Sequence, residues 1–256
     1  MSETFKRRSR VFHTGLKPSK AKKTKFARFP KSLSKAEIVD LIQDKNRLPA
    51  RAQFGVEFCV DQGRLGQCNA VAACQSLQRA FLKSGNDCPR LSSNWLYAQI
   101  NGGQDRGSHL QDGMETIADG VPAWQQNHHN KFRKRDFKKH DNEAARFSAL
   151  ECYGVDSEIE LATGLALGFQ AVVAVHVTDD WFNMDQNKII PECNGPGNHA
   201  VSCDDVNIID GELAFDHMGS WGPNLHDGGR AFLTWKKHFQ KAVDYHFFYL
   251  IRAAGE

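Results

Sequence analysis

Gln62 and Cys68 stand in the run Asp61-Gln62-Gly63-Arg64-Leu65-Gly66-Gln67-Cys68-Asn69-Ala70-Val71, which sets an amide, two glycines and a thiol directly ahead of an apolar helical pattern. A cysteine in the first turn of a helix feels the positive end of the dipole and unpaired backbone N–H groups, and both favour thiolate over thiol. The Gln62 amide, on a glycine-punctuated loop, can fold back beside the Cys68 N–H so that the two donate hydrogen bonds to a developing oxyanion. That pairing serves acyl transfer. A thiolate that attacks an amide also needs an imidazole, first to form the ion pair and then to protonate the leaving amine. Gly195-Pro196-Gly197-Asn198-His199-Ala200-Val201-Ser202 supplies His199 at a turn feeding a strand, and a second strand, Leu213 to His217, runs into Gly219-Ser220-Trp221-Gly222.

In order and spacing these three motifs resemble those of the papain-like cysteine peptidases, which read Q-G-x-x-G-x-C at the helix start, N/G-H-A-V at the histidine and N-S-W-G after the next strand. The resemblance spans about residues 48 to 251. It implies that Cys68 is the nucleophile, His199 the general base and acid, Gln62 the oxyanion donor and Trp221 the indole shielding the base. It further implies substrate contacts at Gly66, Gln67 and Asn198, and a small-residue segment that receives substrate backbone. Gly107-Ser108 fits that segment by its distance from Gly120, with Gly102-Gly103 as the rival. The chain departs from the family at Gly219, where an Asn would orient the imidazole, and no Asn lies between Asp210 and Pro223. A water, a backbone carbonyl or a polar group such as His217 or Asn207 is then left to orient His199.

The elements that must position these residues are legible as periodicity. A short helix is expected over Ser34 to Gln43. Cys68 to Leu82 carries apolar residues at 70, 71, 74, 77, 80 and 81 and is stopped by Ser84-Gly85-Asn86, which predicts a long central helix. Ser92-Ser93 caps a helix through Ile100, Leu110 to Ala118 forms another closed by Gly120, and Ser157 opens one through Leu167. Strands are predicted at Ala171 to Val177, His199 to Ile209, Glu212 to His217, Gly229 to Trp235 and His246 to Ile251. The fold class is α+β: a helical lobe (about 60–150) precedes a mainly antiparallel, barrel-like sheet lobe (about 151–251), with the cleft between them. Residues 1–47 form an N-terminal arm and 48–256 the peptidase domain.

Charge marks the same boundary. The 35 N-terminal residues carry a net charge of +11 and the remainder −8, within the total of +3. Such an arm is expected to contact nucleic acid or an acidic protein surface, or to act as a solubilising tail. Its Phe5, Val11, Phe12, Phe26 and Phe29 argue for docking, either by stacking on bases or by packing on a protein groove. No helical pro-segment of the family's length precedes Leu48-Pro49, so inhibition by a full pro-segment is not expected. The polar, basic start lacks the apolar core of a secretory signal, and the seven cysteines are odd in number, with Leu65 where the family usually has a disulfide partner. Reduced thiols in the cytoplasm or inside an assembly such as a virion fit this pattern.

No cofactor is expected. His128, His129 and His140, in the polar stretch from Gln125 to Asn142, lack a partner at ligand spacing. Cys193, His199 and Cys203 are too irregularly spaced for a zinc site. The function expected is a cysteine endopeptidase-like hydrolase working through a thiolate–imidazolium pair. The alternative is a catalytically weak or inactive papain-like module that serves as an interaction component of a larger assembly, docked through its basic arm. A third reading is another acyl transfer by the same thiolate, such as amidase, transglutaminase-like or cell-wall peptide chemistry.

Overall fold

The computed structural model describes residues 3–7, 10–19, 24–124, 130–138 and 147–253. His128, His129, His140 and much of the stretch from Gln125 to Asn142 lie outside the described residues.

The arm opens with a hairpin, β1 (Thr4–Arg7) and β2 (Arg10–His13), and a helix, α1 (Lys35–Gln43), follows. Ser34 caps α1 in a capping box: its hydroxyl accepts from Glu37 N at 3.3 Å, and the Glu37 carboxylate accepts from Ser34 N at 2.7 Å. A single turn, α2 (Ala50–Gln53), leads to the central helix α3 (Cys68–Lys83). Alanines and small polar residues let α3 sit with nearly its whole first three turns buried, and Gly85, at φ +81°, turns the chain away after Ser84. α4 (Ser93–Ile100) and α5 (Leu110–Asp119) pack against α3 and complete the helical lobe.

The sheet lobe contains β3 (Glu151–Val155), the helix α6 (Glu158–Ala166), β4 (Gln170–Val175), β5 (His199–Ile209), β6 (Glu212–Met218), β7 (Arg230–Thr234) and β8 (Phe248–Arg252). The strands pair in the order β3-β8-β4-β5-β6-β7, all antiparallel. The sheet is therefore open, not the barrel-like closure expected from sequence. Its two edges are already occupied, β3 by a bridge from Arg28 to Gly154 and β7 by a bridge from Ile189 to Phe232. Edge groups satisfied in this way have no need of each other. The expected two-lobe α+β architecture otherwise holds, with α3 laid across β4, β5 and β8.

A register shift in β5 between Cys203 and Asp205 turns Asp204 inward, as bulges do. Fully buried, Asp204 takes Arg79 of α3 at 3.1 Å and Arg230 of β7 at 2.7 Å. These two guanidinium groups hold the Asp204 carboxyl below its usual range despite burial. The ion pairs tie α3 to the sheet. No helix among the described residues is long and apolar enough to cross a membrane.

Candidate active site

Two local pairings bring the chemistry-bearing residues together. A bridge between Asp61 and Trp221, with Gln62 N donating to Ser220 O at 2.7 Å, sets the loop before α3 against the turn after β6. Pairing of β4 with β5 places His199 opposite Val175 at the cleft end of the sheet. Cys68 occupies the first helical position of α3, and its sulfur is approached by the backbone N–H groups of Ala200, Gly15, Asn69 and Cys68 itself. The residue next to His199 thus touches the sulfur of Cys68, which joins the two separated motifs in one site. Trp221 stacks on the His199 ring, with centroids 4.2 Å apart and planes inclined by 27°.

Gln62 is buried, and its Nε2 donates to Leu65 O at 2.8 Å and to His13 O at 3.0 Å. Trp221 Nε1 donates to the same His13 carbonyl at 3.2 Å. Gln67 Nε2 braces the loop by donating to Gln62 O at 3.0 Å. Asp105 shapes the opposite wall: it accepts from Gly66 N at 2.8 Å and from the Tyr97 hydroxyl at 2.7 Å, while Gly107 N donates to Tyr97 Oη at 3.0 Å. Asn69 Nδ2 reaches Ser108 Oγ at 3.1 Å and His109 O at 2.7 Å. Tyr97 and Asp105 had no sequence signature, because their role depends on a loop that folds back onto Gly66.

The cleft is filled by the chain's own N-terminal segment. After β2, Leu16 N donates to Asn198 O at 3.1 Å, Ser108 N to Gly15 O at 2.8 Å and Lys17 N to Ser108 O at 2.9 Å. Gly107-Ser108, rather than Gly102-Gly103, is the segment along which an extended backbone runs. Asn198 adds a side-chain contact, its Nδ2 donating to Glu3 Oε2 at 2.6 Å. The fit leaves no room for a side chain at position 15, since a Cβ there would lie 2.0 Å from Gly66 O. The hairpin pins this segment: Phe12 packs on Trp221 and Phe182 at 5.2 and 4.8 Å, and Arg10 pairs with Asp61 at 2.7 Å. Further along, Lys25 meets Glu115, and Arg28 meets Asp156 and Glu160. The arm's aromatic residues therefore pack on the body of the same chain, and three of its cations meet acids there. An occluding segment was not expected from sequence, because a short stretch of extended backbone leaves no periodic trace.

Electrostatics follow from this closure. Burial pushes the Cys68 thiol up to about 11 and the His199 imidazole down to about 3. With the arm seated, the pair is thiol and neutral imidazole, whereas the helix-dipole argument favoured thiolate. Desolvation outweighs the dipole and the N–H groups aimed at the sulfur. Gly219 contributes no side chain, and at His199 Nε2 the polar group is Ser220 Oγ, 3.3 Å away. Of the two candidates named from sequence, His217 turns its Nδ1 to Ala231 O at 2.8 Å and Asn207 lies near the far end of β5 opposite Ala214.

A stability consequence arises here. His199, His238 and His246 are held down to about 3, 4 and 4 by burial, and burial holds His217 well below its ordinary value too. A lowered pKa means that the neutral ring is the folded form, so the stability it contributes is present above about 6.5 and is lost as pH falls toward those values. Asp216, raised to about 6 by burial and by Asp204, and Glu158, raised by burial, act in the opposite sense above their ordinary values, but they are two groups against four. Thermal unfolding followed by circular dichroism should show Tm falling between pH 7 and pH 5, with a loss on the order of a few kcal/mol. A Tm flat over that interval would show that these rings are charged in the folded protein.

No protein-family model and no curated protein matches the sequence. Solved structures do. Xylellain, a cysteine protease from Xylella fastidiosa, superposes with a TM-score of 0.70 at 18% identity, over 94% of this chain and 96% of that one. The bromelain protease from Ananas comosus gives 0.62 at 15% identity, over 81% and 98%. Digestive procathepsin L 3 of Tenebrio molitor larval midgut gives 0.61 at 18% identity, over 91% and 75%. At these identities the likeness is one of fold, and it covers most of the described elements on both sides of the cleft. The chain therefore has the two-lobe α+β fold of the papain-like cysteine proteases.

Proposed function

We propose that this chain is a cysteine peptidase held latent by residues 13–18. The observation that carries the reading is a peptide backbone already seated in the site, with the His13 carbonyl on the Gln62 amide and the Gly15 N–H on the Cys68 sulfur. A groove that binds extended backbone and offers its carbonyl a preorganised donor is built for acyl chemistry on peptides. Once the segment leaves and water returns, desolvation no longer opposes charge, and the thiol proton passes to His199. The thiolate attacks the scissile carbonyl carbon while Gln62 Nε2 and the Cys68 N–H hold the oxyanion. Collapse breaks the C–N bond, and the amine leaves with the proton from His199. Water, deprotonated by His199, then cleaves the thioester and restores Cys68. Trp221 shields the ring from solvent throughout.

The test is turnover of a peptide library by the full chain with its cleft opened by Gly15→Val, using Cys68→Ala in the same chain as the blank. In that background Gln62→Ala is expected to lower kcat about 10²- to 10³-fold. Its alkylation by a small thiol probe should persist, because the nucleophile remains. Loss of alkylation together with turnover would assign Gln62 to holding the fold.

A second reading is favoured by the filled cleft and by Gly219: a papain-like module that works as an interaction component of a larger assembly, with its basic arm toward nucleic acid or an acidic surface. It calls for an arm that stays seated and for no hydrolysis by the opened chain, so the same assay separates the two.

A further inference from the structure

The Ser220 hydroxyl links the base to the oxyanion donor, and the direction of that link is fixed from its Gln62 end. Both N–H groups of Gln62 Nε2 are committed to carbonyl oxygens, Leu65 O at 2.8 Å and His13 O at 3.0 Å. The amide cannot be turned round, since that would set an oxygen against two carbonyl oxygens. Gln62 Oε1 is therefore an acceptor, and the one proton of Ser220 Oγ is donated to it. The lone pairs of Oγ are left to face His199 Nε2 at 3.3 Å, so that nitrogen must carry the proton. A neutral imidazole has one N–H. Nδ1 is then bare, and among the described residues no group hydrogen-bonds it. Ser220, His199 and Gln62 are all within 2% of full burial, so no bulk water competes for these contacts.

We infer that Ser220 is a positioning residue: through the relay Gln62 Oε1–Ser220 Oγ–His199 Nε2 it holds the ring in the Nε2–H tautomer, which frees Nδ1 to accept the Cys68 proton. Ser220 thereby does from the next position what Gly219 cannot. The consequence for turnover rests on the peptidase reading, but the tautomer itself is a property of the resting chain and needs no substrate. When the base becomes imidazolium, the same Oγ accepts from a charged donor, a stronger bond than the neutral one. Its loss should slow Cys68 chemistry about ten- to a hundredfold.

The test is ¹⁵N NMR of the histidine-labelled full chain at neutral pH, with His199 assigned by the signals lost in His199→Gln. The expected wild-type spectrum shows Nε2 protonated and Nδ1 unprotonated; the reverse assignment overturns the inference without any variant. Ser220→Ala should then mix the tautomers while the ring signals of His217, His238 and His246 stay in place as a control for folding. In the Gly15→Val chain it should also lower the rate of Cys68 alkylation by the stated factor. An unchanged tautomer and rate in a folded Ser220→Ala chain overturns the inference. The two readings fail separately: Nδ1–H with active turnover sinks the relay alone, and Nε2–H without turnover in the opened chain sinks the peptidase alone.

Discussion

Gly15→Val is expected to raise the rate at which a small alkylating probe reaches Cys68 by about 10²-fold or more. Even the Cβ of such a residue would lie 2.0 Å from Gly66 O, and a Cβ at Gly107 would meet Gly15 O in the same way, so both strands of this contact are backbone with nothing flexible to give. Overpacking a rigid site costs about 3 kcal/mol when it cannot relax, which is roughly a hundredfold in the seated population. Reactivity of a site open only part of the time scales with the open fraction, so the gain in rate reports that shift. The substitution replaces no residue of the body and leaves Phe12 and the hairpin as they are. Stopped-flow or quenched alkylation with iodoacetamide, read by intact mass, measures it. An unchanged rate would mean that residues 13–18 are not what keeps reagents from the sulfur.

Cys68→Ala in the opened chain is expected to abolish peptide hydrolysis, a loss of about 10⁵- to 10⁶-fold where the intact site turns over, as for nucleophiles that act as a unit with their base. The fold should survive. Cys68 is fully buried at the start of α3, and removing one sulfur from a first-turn position leaves the Ala-rich face, the Ser84 stop and the Arg79–Asp204 tie in place. The expected signature is zero turnover with Tm within a few degrees of the parent. Turnover that persists after this change would move the chemistry elsewhere, and a collapsed Tm would make Cys68 a packing residue.

Much of this was legible in the sequence because the decisive signals are local. The apolar period from Cys68 to Leu82, the Ser92 cap and the Gly120 stop each depend on neighbouring residues, and each matches an element within a residue or two. Gln62, Cys68, His199 and Trp221 were singled out by motif order; the Asp61–Trp221 bridge and the β4–β5 pairing fold their motifs together, with Trp221 stacked on His199 and the Ala200 N–H at the Cys68 sulfur. What escaped has no period. β3 reads Glu-Cys-Tyr-Gly-Val, with a glycine inside it, and exists as a strand because β8 and Arg28 pair with it on either side. Sheet closure depends on whether edges find other partners, which composition does not encode. Residues 14–19 carry no periodic pattern, and their path is set by backbone pairing with Ser108 and Asn198. Thiolate character was read from the helix start alone; the desolvation that reverses it comes from packing by residues distant in sequence, Gly15 and Ala200 among them.

The central claim is that Cys68 forms a covalent acyl bond to substrate. Its most direct test is to mix the Gly15→Val chain with an activated peptide ester, quench in acid and map the adduct by mass spectrometry. The account expects an acyl group on the peptide containing Cys68, released by hydroxylamine as a thioester should be and missing from Cys68→Ala. Hydrolysis with no adduct, or an adduct on any of the other cysteines, would contradict it.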